Sequence, residues 1–323
     1  MSPKVAVIIV NWNSGPCLSK CLDRLAGQTV KPDQVIVVDN SLNIPLKEKS
    51  RPGLAIEIVR PPGNIGFAAA NNLGVEKSPD ADWIALLNPD AYPEPDWLAH
   101  LLEATRDHPH CDFFGSKLLC YDRPSTLDGV ADVYHTCGLV WRHKHGRPCR
   151  EFDDESKEIF SACAAAALYR KEAFLHVNGF DEDYFCYLED VDLGFRLRLY
   201  GYHGMVVPTA VVFHVGSAST GDHSDFVLYH GHRNLVWTYV KNMPLPLFLF
   251  YLPQHLILNL GSLVWFGMRG RGDILLKAKR DAWKGLPAVW KKRRRVQGHR
   301  RVGSSSLRKF MARGASAVLK RRE

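Results

Sequence analysis

The first 91 residues contain four short apolar runs, each followed directly by a turn or by polar residues. These runs are VAVIIV (5–10), QVIVVDN (34–40), AIEIVRPP (55–62) and DWIALLNPDA (82–91). Segments with helical spacing of apolar residues lie between them, CLSKCLDRLAGQ after the first run and AAANNLGVEKS after the third. Apolar runs of this kind are typical of strands buried on both faces, and their alternation with helices predicts a doubly wound α/β sheet.

Polar residues follow three of these strands at the point where each strand ends. They occupy positions 11–13, 39–41 and 88–90. In doubly wound sheets, ligands bind beyond the carboxyl ends of the strands. We therefore expect one site to gather all three groups.

Each group on its own also has an ordinary structural explanation. Asn11 and Asn13 can read a nucleobase edge or cap the next helix. Asp39 can bind a ribose hydroxyl, as in other nucleotide-binding folds, or belong with Asn40 to a turn held by side-chain hydrogen bonds. Asp90 follows Pro89 and can be a turn residue or one of the few carboxylates needed by a divalent ion that also binds ligand phosphates.

A glycine-bearing turn opens the second helix. In GNIGFAAANN (63–72) the small side chains let a ligand approach the backbone, and a helix N-terminus favours anionic groups. The spacing is not GxGxxG, so the dinucleotide-binding fingerprint is absent.

The rest of the first 240 residues is less regular. A helix is predicted over 96–108, and the sequence from there to about residue 154 has no clear period. IFSACAAAALYRKEAF (159–174) predicts a strand leading into a helix, GFDEDYFCYLEDVDLGFRLRLYGY (179–202) an acidic loop leading into an amphipathic helix, and VVPTAVVFHVG (206–216) a late strand.

Several of these segments together resemble glycosyltransferase family 2. VIIVNWN, VVDNS, PPGNIGFAAANNLG and LLNPDA, in this order, are similar to the nucleotide-binding half of that family. NPDA stands where the family has its DxD metal motif, with Asn88 in place of the first Asp, as in the rhamnosyltransferase-like branch. LEDVDL (188–193) resembles the ED motif of the family, and VFH (212–214) resembles its late metal-binding histidine.

The resemblance covers roughly residues 4–240 and implies a fold and a domain organisation. The expected fold is a GT-A type nucleotide-binding mixed sheet flanked by helices. A nucleotide-sugar half over 1–120 and an acceptor half over 121–240 are expected to form one domain. A hydrophobic and then basic helical tail over 241–323 is expected to follow it.

The resemblance also implies roles for particular residues. Asp190 is expected to be the catalytic base, with Glu189 orienting the acceptor, and Asp90 and His214 are expected to hold Mg²⁺ or Mn²⁺. The residues expected to bind the nucleotide sugar are Asn11, Asn13, Asp39, Asn40, Asn64, Gly66, Asn71, Asn88 and Asp90. Arg196, His232 and Arg233 are possible contacts to phosphate or acceptor.

These motif residues have alternatives as well. The EDVD segment can be a solvated helix start, and His214, on an apolar strand, can be a core histidine. Arg196 can pair with a nearby acid, and residues 230–234 can be a polar helix entry. Asp192 is expected to brace the helix that follows it.

The charge of the chain is divided between a body and a tail. Residues 269–323 contain 19 Lys or Arg and three acidic residues, a net charge of +16, whereas residues 1–268 have a net charge of −8. Residues 245–268 precede this basic segment and contain no Lys, Arg, Asp or Glu. They can lie in a membrane interface with Trp265 and Phe266 as anchors, span a bilayer, or form a buried helix pair.

Other function classes fit the sequence less well. A nucleotidyltransferase is expected to begin with a glycine-rich loop containing Arg or Lys, and NWNSGP (11–16) has neither cation. The cations of the tail could neutralise the phosphates of a nucleic acid. The tail, however, has no recognisable nucleic-acid-binding fold, and we expect no nucleic-acid partner. The eight cysteines form no CxxC pair and no export signal is evident, so reduced thiols in the cytosol are expected.

The predicted function is an inverting glycosyltransferase at the cytoplasmic face of the cell membrane. The resemblance favours L-rhamnose from dTDP-L-rhamnose as the sugar, with galactofuranose, glucose or another deoxysugar as alternatives. The expected acceptor is a polyprenyl-diphosphate-linked saccharide of cell-wall or O-antigen assembly, and the expected partner surface is an anionic membrane. The sequence leaves the oligomeric state open.

Overall fold

A mixed sheet forms the centre of the computed structural model, which describes residues 3–41, 50–152, 155–216 and 224–320. Within those residues the sheet has nine strands. They are β1 (Val5–Asn11), β2 (Gln34–Asp39), β3 (Ile56–Val59), β4 (Trp83–Leu87), β5 (Ala91–Pro93), β6 (Phe113–Cys120), β7 (Arg123–Gly129), β10 (Ala166–Arg170) and β11 (Gly204–His214). A separate antiparallel hairpin consists of β8 (Asp132–Tyr134) and β9 (Val140–Arg142).

The strand order is β3-β2-β1-β4-β10-β6-β11-β5, and β7 pairs with β6. The first four strands are parallel, and β1 and β2 are in a register that places Asn11 opposite Asp39. Strand β10 lies antiparallel between β4 and β6, and β5 lies antiparallel beside β11. The predicted α/β class with a mixed sheet is confirmed.

Helices cover both faces of this sheet. They are α1 (Pro16–Ala26), α2 (Gly66–Glu76), α3 (Trp97–Asp107), α4 (Lys171–His176) and α5 (Glu189–Tyr200). Alternate residues of β1 belong to different cores, with Ile8 on the side of α2 and α5 and with Val7 and Ile9 on the side of α1 and α3. Such alternation is the consequence of the two-residue period of a strand.

Two regions differ from the sequence prediction. The stretch predicted to be irregular contains β6, which is buried along its whole length between β10 and β11. Ser116 and Lys117 interrupt its apolar pattern. Trp97 Nε1 donates a hydrogen bond to the Ser116 hydroxyl at 2.8 Å, and the Lys117 ammonium lies over the Phe152 ring, so both polar groups are accommodated in the interior.

Helix α5 was predicted to be amphipathic, and this prediction is wrong. Almost every residue of α5 is buried. Its two arginines are themselves buried, and each is paired, Arg196 with the buried Asp192 and Arg198 with the exposed Glu158. In the sequence a buried, paired arginine looks like a solvent-facing residue.

The C-terminal region is helical. It comprises α6 (Asp225–Asn242), α7 (Leu245–Gly267), α8 (Gly272–Gly298), α9 (Ser304–Lys309) and α10 (Gly314–Lys320). Helix α8 packs along α6, where Trp237 Nε1 donates to the Ala282 carbonyl at 3.0 Å and Arg293 donates to the Val240 carbonyl at 2.6 Å. The domain division at residue 240 stays a prediction, and α6 and α8 pack against each other across it.

Candidate active site

Asp90 and His214 lie side by side, although 123 residues of sequence separate them. Strand β11 ends at His214, which pairs with Ala91 of β5, immediately after Asp90. His214 Nε2 is 3.5 Å from Asp90 Oδ1 and 3.4 Å from Asn88 Nδ2. Both Asp90 and His214 are buried. The structure therefore brings together the residues at which the sequence predicts a metal site.

The other ring nitrogen of His214 is held by Asp128, a residue that the sequence analysis missed. Asp128 Oδ2 is 2.7 Å from His214 Nδ1. A proton kept on Nδ1 by this carboxylate leaves Nε2 directed at Asp90, which is the arrangement found around histidines that bind metals. Asp128 lies near the end of β7, 86 residues before His214, and no local sequence pattern marks it.

The acidic neighbours also control the charge of the imidazole. Burial alone would lower the pKa of His214, but the hydrogen bonds to Asp128 and Asp90 outweigh burial and raise that pKa to about 9. A divalent ion bound at Nε2 would therefore take the place of a proton there. Carboxylate and imidazole side chains are suitable ligands for Mg²⁺ or Mn²⁺ that also binds substrate phosphates. The residues present thus fit the divalent ion expected from the sequence.

The amide and carboxylate at the ends of β1 and β2 form a connected pair. Asn11 Nδ2 donates to Asp39 Oδ1 at 2.9 Å, and Asn11 Oδ1 accepts from the Ser14 hydroxyl at 2.6 Å. Arg60, which the sequence analysis did not single out, approaches Asp39 Oδ2 at 3.4 Å. Asn13 is exposed, and its backbone N–H donates to the Ser41 hydroxyl.

The predicted glycine-bearing turn is held together by its own asparagines. Asn40 Nδ2 donates to Asn64 Oδ1 at 3.0 Å, and Asn40 Oδ1 accepts from the backbone N–H of Ile65. Gly66 has a φ of +84°, and a Cβ there would lie 2.7 Å from the carbonyl oxygen of Phe185. Because Gly66 has no side chain, the loop before α5 can pack directly against the start of α2.

Asn71 lies deeper than the rest of the predicted donor-binding set. It is buried within α2, and its Nδ2 donates to the Phe67 carbonyl one turn earlier. A role for Asn71 or Gly66 in binding the donor stays a prediction, and each has a structural role in the fold.

The acidic motif begins α5 directly after a loop, residues 183–188, that we call the strained loop. Phe185, Tyr187 and Leu188 all have φ between +64° and +69°, a conformation that costs free energy in residues other than glycine and is often found at functional sites. Asp190 Oδ1 accepts from the Val191 N–H at 2.8 Å and Asp190 Oδ2 from the Ala164 N–H at 3.2 Å. These two bonds set the direction of the carboxylate.

Burial raises the pKa of Asp190 above its usual value, against the effect of these backbone hydrogen bonds. Burial and the neighbouring Asp190 raise the pKa of Glu189 further, and Glu189 Oε2 is buried with no hydrogen-bond partner among the described residues. Asp132 and Cys163, which the sequence analysis missed, lie beside Asp190, and the three ligand-type atoms are within 4.8 Å of one another. A raised carboxyl pKa suits a group that exchanges protons near neutral pH.

The remaining predicted contacts have partners inside the protein. Arg196 pairs with Asp192 at 2.8 Å and donates to the Val177 carbonyl, so of the two alternatives for Arg196 the structure has the acid pair. Arg233 donates to the carbonyls of residues 183 and 184, which lie in the strained loop. His232 packs against Phe266 of α7.

Asp192 braces α5, as expected from the sequence. Its Oδ1 accepts hydrogen bonds from Tyr184 Oη at 3.2 Å and from Asn242 Nδ2 at 2.7 Å. Lys241 adds an ion pair at 2.8 Å. Asp192 therefore joins the strained loop, α5 and α6.

The chain is similar to known proteins over more than half of its length. The sequence model of glycosyl transferase family 2 matches residues 6–177. The chain is 29% identical over 244 residues to the N-acetylglucosaminyl-diphospho-decaprenol L-rhamnosyltransferase of Mycobacterium tuberculosis, covering 68% of this chain and 79% of the relative. It is 26% identical over 224 residues to the rhamnosyltransferase WbbL of Escherichia coli, covering 65% and 83% of the two chains.

Among solved structures, GalNAc-T7 with UDP, GalNAc and Mn²⁺ has the same fold. The TM-score is 0.58 at 14% identity, and the match covers 74% of this chain and 48% of that one.

Proposed function

Because the chain belongs to glycosyltransferase family 2 and is similar to its rhamnosyltransferase-like branch, we propose that it transfers L-rhamnose from dTDP-L-rhamnose to a polyprenyl-diphosphate-linked saccharide, with inversion at the anomeric carbon. The observation that carries the proposal is the meeting of Asp90, Asn88 and His214 at the end of β11. Two relatives that match about two thirds of this chain are named as rhamnosyltransferases. The name of one of them includes N-acetylglucosaminyl-diphospho-decaprenol.

In this mechanism the two halves of the site have separate tasks. Asp90 and His214 would hold Mg²⁺ or Mn²⁺, and the ion would supply Lewis-acid stabilisation to the departing diphosphate. Asp128 keeps the imidazole in the tautomer that directs Nε2 to Asp90. Asn11 and Asp39, already joined at 2.9 Å, present polar atoms to the nucleoside at the ends of β1 and β2.

Asp190 acts on the acceptor side as the general base. The acceptor O–H bond breaks and its proton passes to Asp190, while the acceptor oxygen forms a bond to the anomeric carbon. The bond from that carbon to the diphosphate breaks, and its electron pair leaves with dTDP. In this proposal, the two backbone hydrogen bonds to the carboxylate direct it at the hydroxyl, and the elevated pKa of Asp190 favours uptake of the proton.

A donor screen tests the proposed activity. The purified chain is incubated with Mn²⁺ and a short polyprenyl-diphospho-N-acetylglucosamine, and nucleotide release is measured from dTDP-L-rhamnose, UDP-galactofuranose, UDP-glucose and GDP-mannose. We expect acceptor-dependent release of dTDP, with a product whose anomeric configuration is opposite to that of the donor. Preferential turnover of a UDP- or GDP-sugar would overturn the rhamnose assignment, and release from none of them would overturn the proposed activity.

The proposed location is the cytoplasmic surface of the membrane, and it is supported by the unusual arrangement of helix α7. The side of α7 that faces the protein is mixed. Leu247 and Tyr251 are buried there beside His255, whose Nδ1 lies 2.9 Å from the Cys137 carbonyl, and Asn259 Oδ1 accepts from Lys279 Nζ at 2.5 Å. The opposite side exposes Leu249, Phe250, Leu256, Ile257, Leu260, Val264 and Trp265. A surface helix of a soluble protein has charged and polar residues on its outer side instead.

Helix α7 is the described helix that is long and apolar enough to cross a membrane, and only 17% of its most apolar window is buried. One side of α7, however, is covered by protein from Leu247 to Phe266. We therefore propose that α7 lies in the plane of the interface with its outer face among the lipids. Phe266, expected from the sequence to be an anchor, instead contacts His232, whereas Trp265 is exposed.

Helix α8 has a similar surface, on which exposed apolar residues lie among cations. It exposes the apolar side chains of Leu276, Trp283 and Trp290 together with the cations of Lys284, Lys291 and Arg294. Indole rings and cations are the groups that favour the headgroup region of an anionic membrane. This surface would bring the active site to the level at which a lipid-linked acceptor is presented.

A further inference from the structure

Arg142 occupies a position between the two halves of the site. It is the last residue of β9, and its Nη1 lies 2.6 Å from Asp128 Oδ2. The same Asp128 oxygen is 2.7 Å from His214 Nδ1. Arg142 and His214 therefore approach one carboxylate oxygen from two sides, and Arg142 restricts the position from which Asp128 orients the imidazole.

The same guanidinium also acts on the acceptor half of the site. Arg142 lies opposite Asp132 in the register of the β8–β9 hairpin, and the ligand-type atoms of Asp132, Cys163 and Asp190 lie within 4.8 Å of one another. Burial raises the pKa of both Asp132 and Asp190, and the charge of Arg142 opposes that rise in both. Asp132 Oδ2 is buried without a hydrogen-bond partner among the described residues, and the guanidinium opposite it is a source of compensating positive charge.

The backbone leaves space for Arg142 at one particular position. Gly129, directly after Asp128, has a φ of +150°, and a Cβ at Gly129 would lie 2.1 Å from Arg142 Cγ and 2.2 Å from Cδ. Any other residue at 129 would displace the stem of Arg142. The location of the guanidinium is thus built into the end of β7.

We propose that Arg142 is a positioning residue shared by the donor half and the acceptor half of the active site. It holds Asp128 against His214, and it places a positive charge beside the cluster in which Asp190 receives the proton of the acceptor hydroxyl. This inference rests on the proposed function for the roles of His214 and Asp190.

The inference predicts a change in pH dependence, so every group near Asp190 matters. Within the described residues, the ionisable groups that act on Asp190, or on which it acts, come from five parts of the fold. They are Asp132 on β8, Arg142 on β9, Cys163 and Tyr169 before and on β10, Cys186 in the strained loop and Glu189 on α5. Among these groups Arg142 is the cation. Each of the others is neutral when it carries its proton and negative when it has lost it.

Arg142→Gln, Arg142→Lys and the control Arg147→Gln test the inference. Arg147 belongs to the segment just after β9 and is partly exposed, and among the described residues its side chain makes only a long ion pair, 3.9 Å, with Glu151. Two quantities are measured for each variant: the pH dependence of kcat for dTDP release, and the affinity for Mn²⁺ in the presence of dTDP by titration calorimetry. A melting curve for each variant reports its folding.

We expect Arg142→Gln to move the acidic limb of the kcat profile to higher pH, because Asp190 then loses its compensating charge. We also expect a loss of Mn²⁺ affinity of about tenfold or more, the size typical of removing support from a metal-binding histidine. Arg142→Lys keeps the positive charge, so the acidic limb should stay near its wild-type position. It lacks the guanidinium that contacts Asp128, so part of the Mn²⁺ affinity should still be lost. Arg147→Gln should change neither quantity.

Two results would overturn the inference. One is a kcat that falls equally at every pH in Arg142→Gln with an unmoved acidic limb and unchanged Mn²⁺ affinity, as expected of a structural arginine. The other is the same effect in Arg147→Gln. If wild-type protein releases no nucleotide from any donor, the proposed function fails, whereas the calorimetric comparison still decides whether Arg142 supports the Asp128–His214 pair.

Discussion

Residues that belong to no sequence motif orient the motif residues of this site. His214 is marked by its motif, yet Asp128 determines which of its nitrogens faces Asp90. Asp190 is marked by the ED motif, yet the Ala164 and Val191 N–H groups determine its direction, and burial raises its pKa. Substitutions at the residue scale can therefore separate the two halves of the proposed mechanism.

The first prediction concerns Asp190. Asp190→Asn keeps the shape of the side chain and removes its capacity to accept a proton, so kcat should fall by about 100- to 10,000-fold. The affinity for dTDP with Mn²⁺, measured by titration calorimetry, should stay unchanged because Asp190 lies on the acceptor side. Asp122→Asn, at an exposed carboxylate of the same domain, is the control, and near-normal turnover in Asp190→Asn would exclude Asp190 as the base.

The second prediction concerns Asp90 and its support. Asp90→Ala removes an expected metal ligand and should weaken Mn²⁺-dependent binding of dTDP more than metal-free binding. Asp128→Asn should lower Mn²⁺ affinity by about 10- to 100-fold while leaving Asp90 in place. Equal dTDP affinity with and without Mn²⁺ in wild type and Asp90→Ala would contradict a metal site here.

At the scale of elements, helix α7 shows how an apolar segment is interpreted once its neighbours are known. Its length and composition fit a bilayer-spanning helix, an interfacial helix and a core helix equally well. The burial of Leu247, Tyr251 and His255 along one side, with Ile257 and Leu260 exposed on the other, supports the proposed interfacial position. Helix α8 is joined to α6 by the hydrogen bonds of Trp237 and Arg293, so deleting residues 269–323 would also uncover α6.

The third prediction therefore uses substitutions on the outer face of α7. The double variant Phe250→Ser/Ile257→Ser should reduce co-sedimentation with vesicles of phosphatidylglycerol and phosphatidylcholine, because about 1.5–3 kcal/mol of transfer free energy is lost for each side chain that would be buried in lipid. Leu175→Ser, at an exposed leucine on α4, should sediment like wild type. Undiminished sedimentation of the double variant would show that α7 is not the contact.

The fourth prediction concerns the cations of α8 at that surface. Lys291→Glu/Arg294→Glu should weaken binding to vesicles containing phosphatidylglycerol and leave the weak binding to pure phosphatidylcholine unchanged, since each cation contributes about 1 kcal/mol near an anionic surface. The difference should diminish as salt is added. An equal effect on both kinds of vesicle would contradict an electrostatic contribution.

At the scale of the whole molecule, the positive tail is partly folded back onto the negative body. Lys292 pairs with Asp181 and Asp183 at 2.5 Å, and Arg295 donates to Asn178 at 2.7 Å. Arg293 is buried, and its guanidinium donates to backbone carbonyls at the end of α6. Only part of the +16 of residues 269–323 is thus available to a membrane, and the rest joins the C-terminal helices to the catalytic domain.

The fifth prediction tests that junction through pH. Burial opposes ionisation of Asp181, but Lys241 and Lys292 outweigh burial and lower its pKa below the ordinary 3.8. The stabilisation is therefore present above about pH 4 and is lost as the pH falls below it. Lys292→Met should lower the Tm at pH 6–7 by about 2–4 °C, for about 1 kcal/mol at a partly exposed pair.

Lys241 also pairs with Asp181 and keeps its pKa below 3.8 in the variant. The difference in Tm between Lys292→Met and wild type should therefore stay constant from pH 7 to about pH 4 and disappear only at lower pH, once Asp181 is protonated in the variant. Lys291→Met, at the exposed neighbouring residue, is the control and should change the Tm little at any pH. A Tm of Lys292→Met equal to that of wild type at pH 6–7 would show that the ion pair of Lys292 does not stabilise the junction.

The sequence by itself determined the strands β1, β2 and β4, the helices between them and the residues of the recognisable motifs, because apolar periodicity and short motifs are local properties of a chain. The tertiary structure decided that β6 is a buried central strand, that almost all of α5 is buried, and that α7 packs on the protein along one side while its other side exposes apolar residues. It also decided the positions of Asp128, Asp132, Arg142 and Cys163 in the site. The physical reason is that each of these features depends on partners far along the chain, such as the carboxylate of Asp128 and the imidazole of His214, 86 residues apart, and no local pattern records a contact that exists only after the sheet has formed.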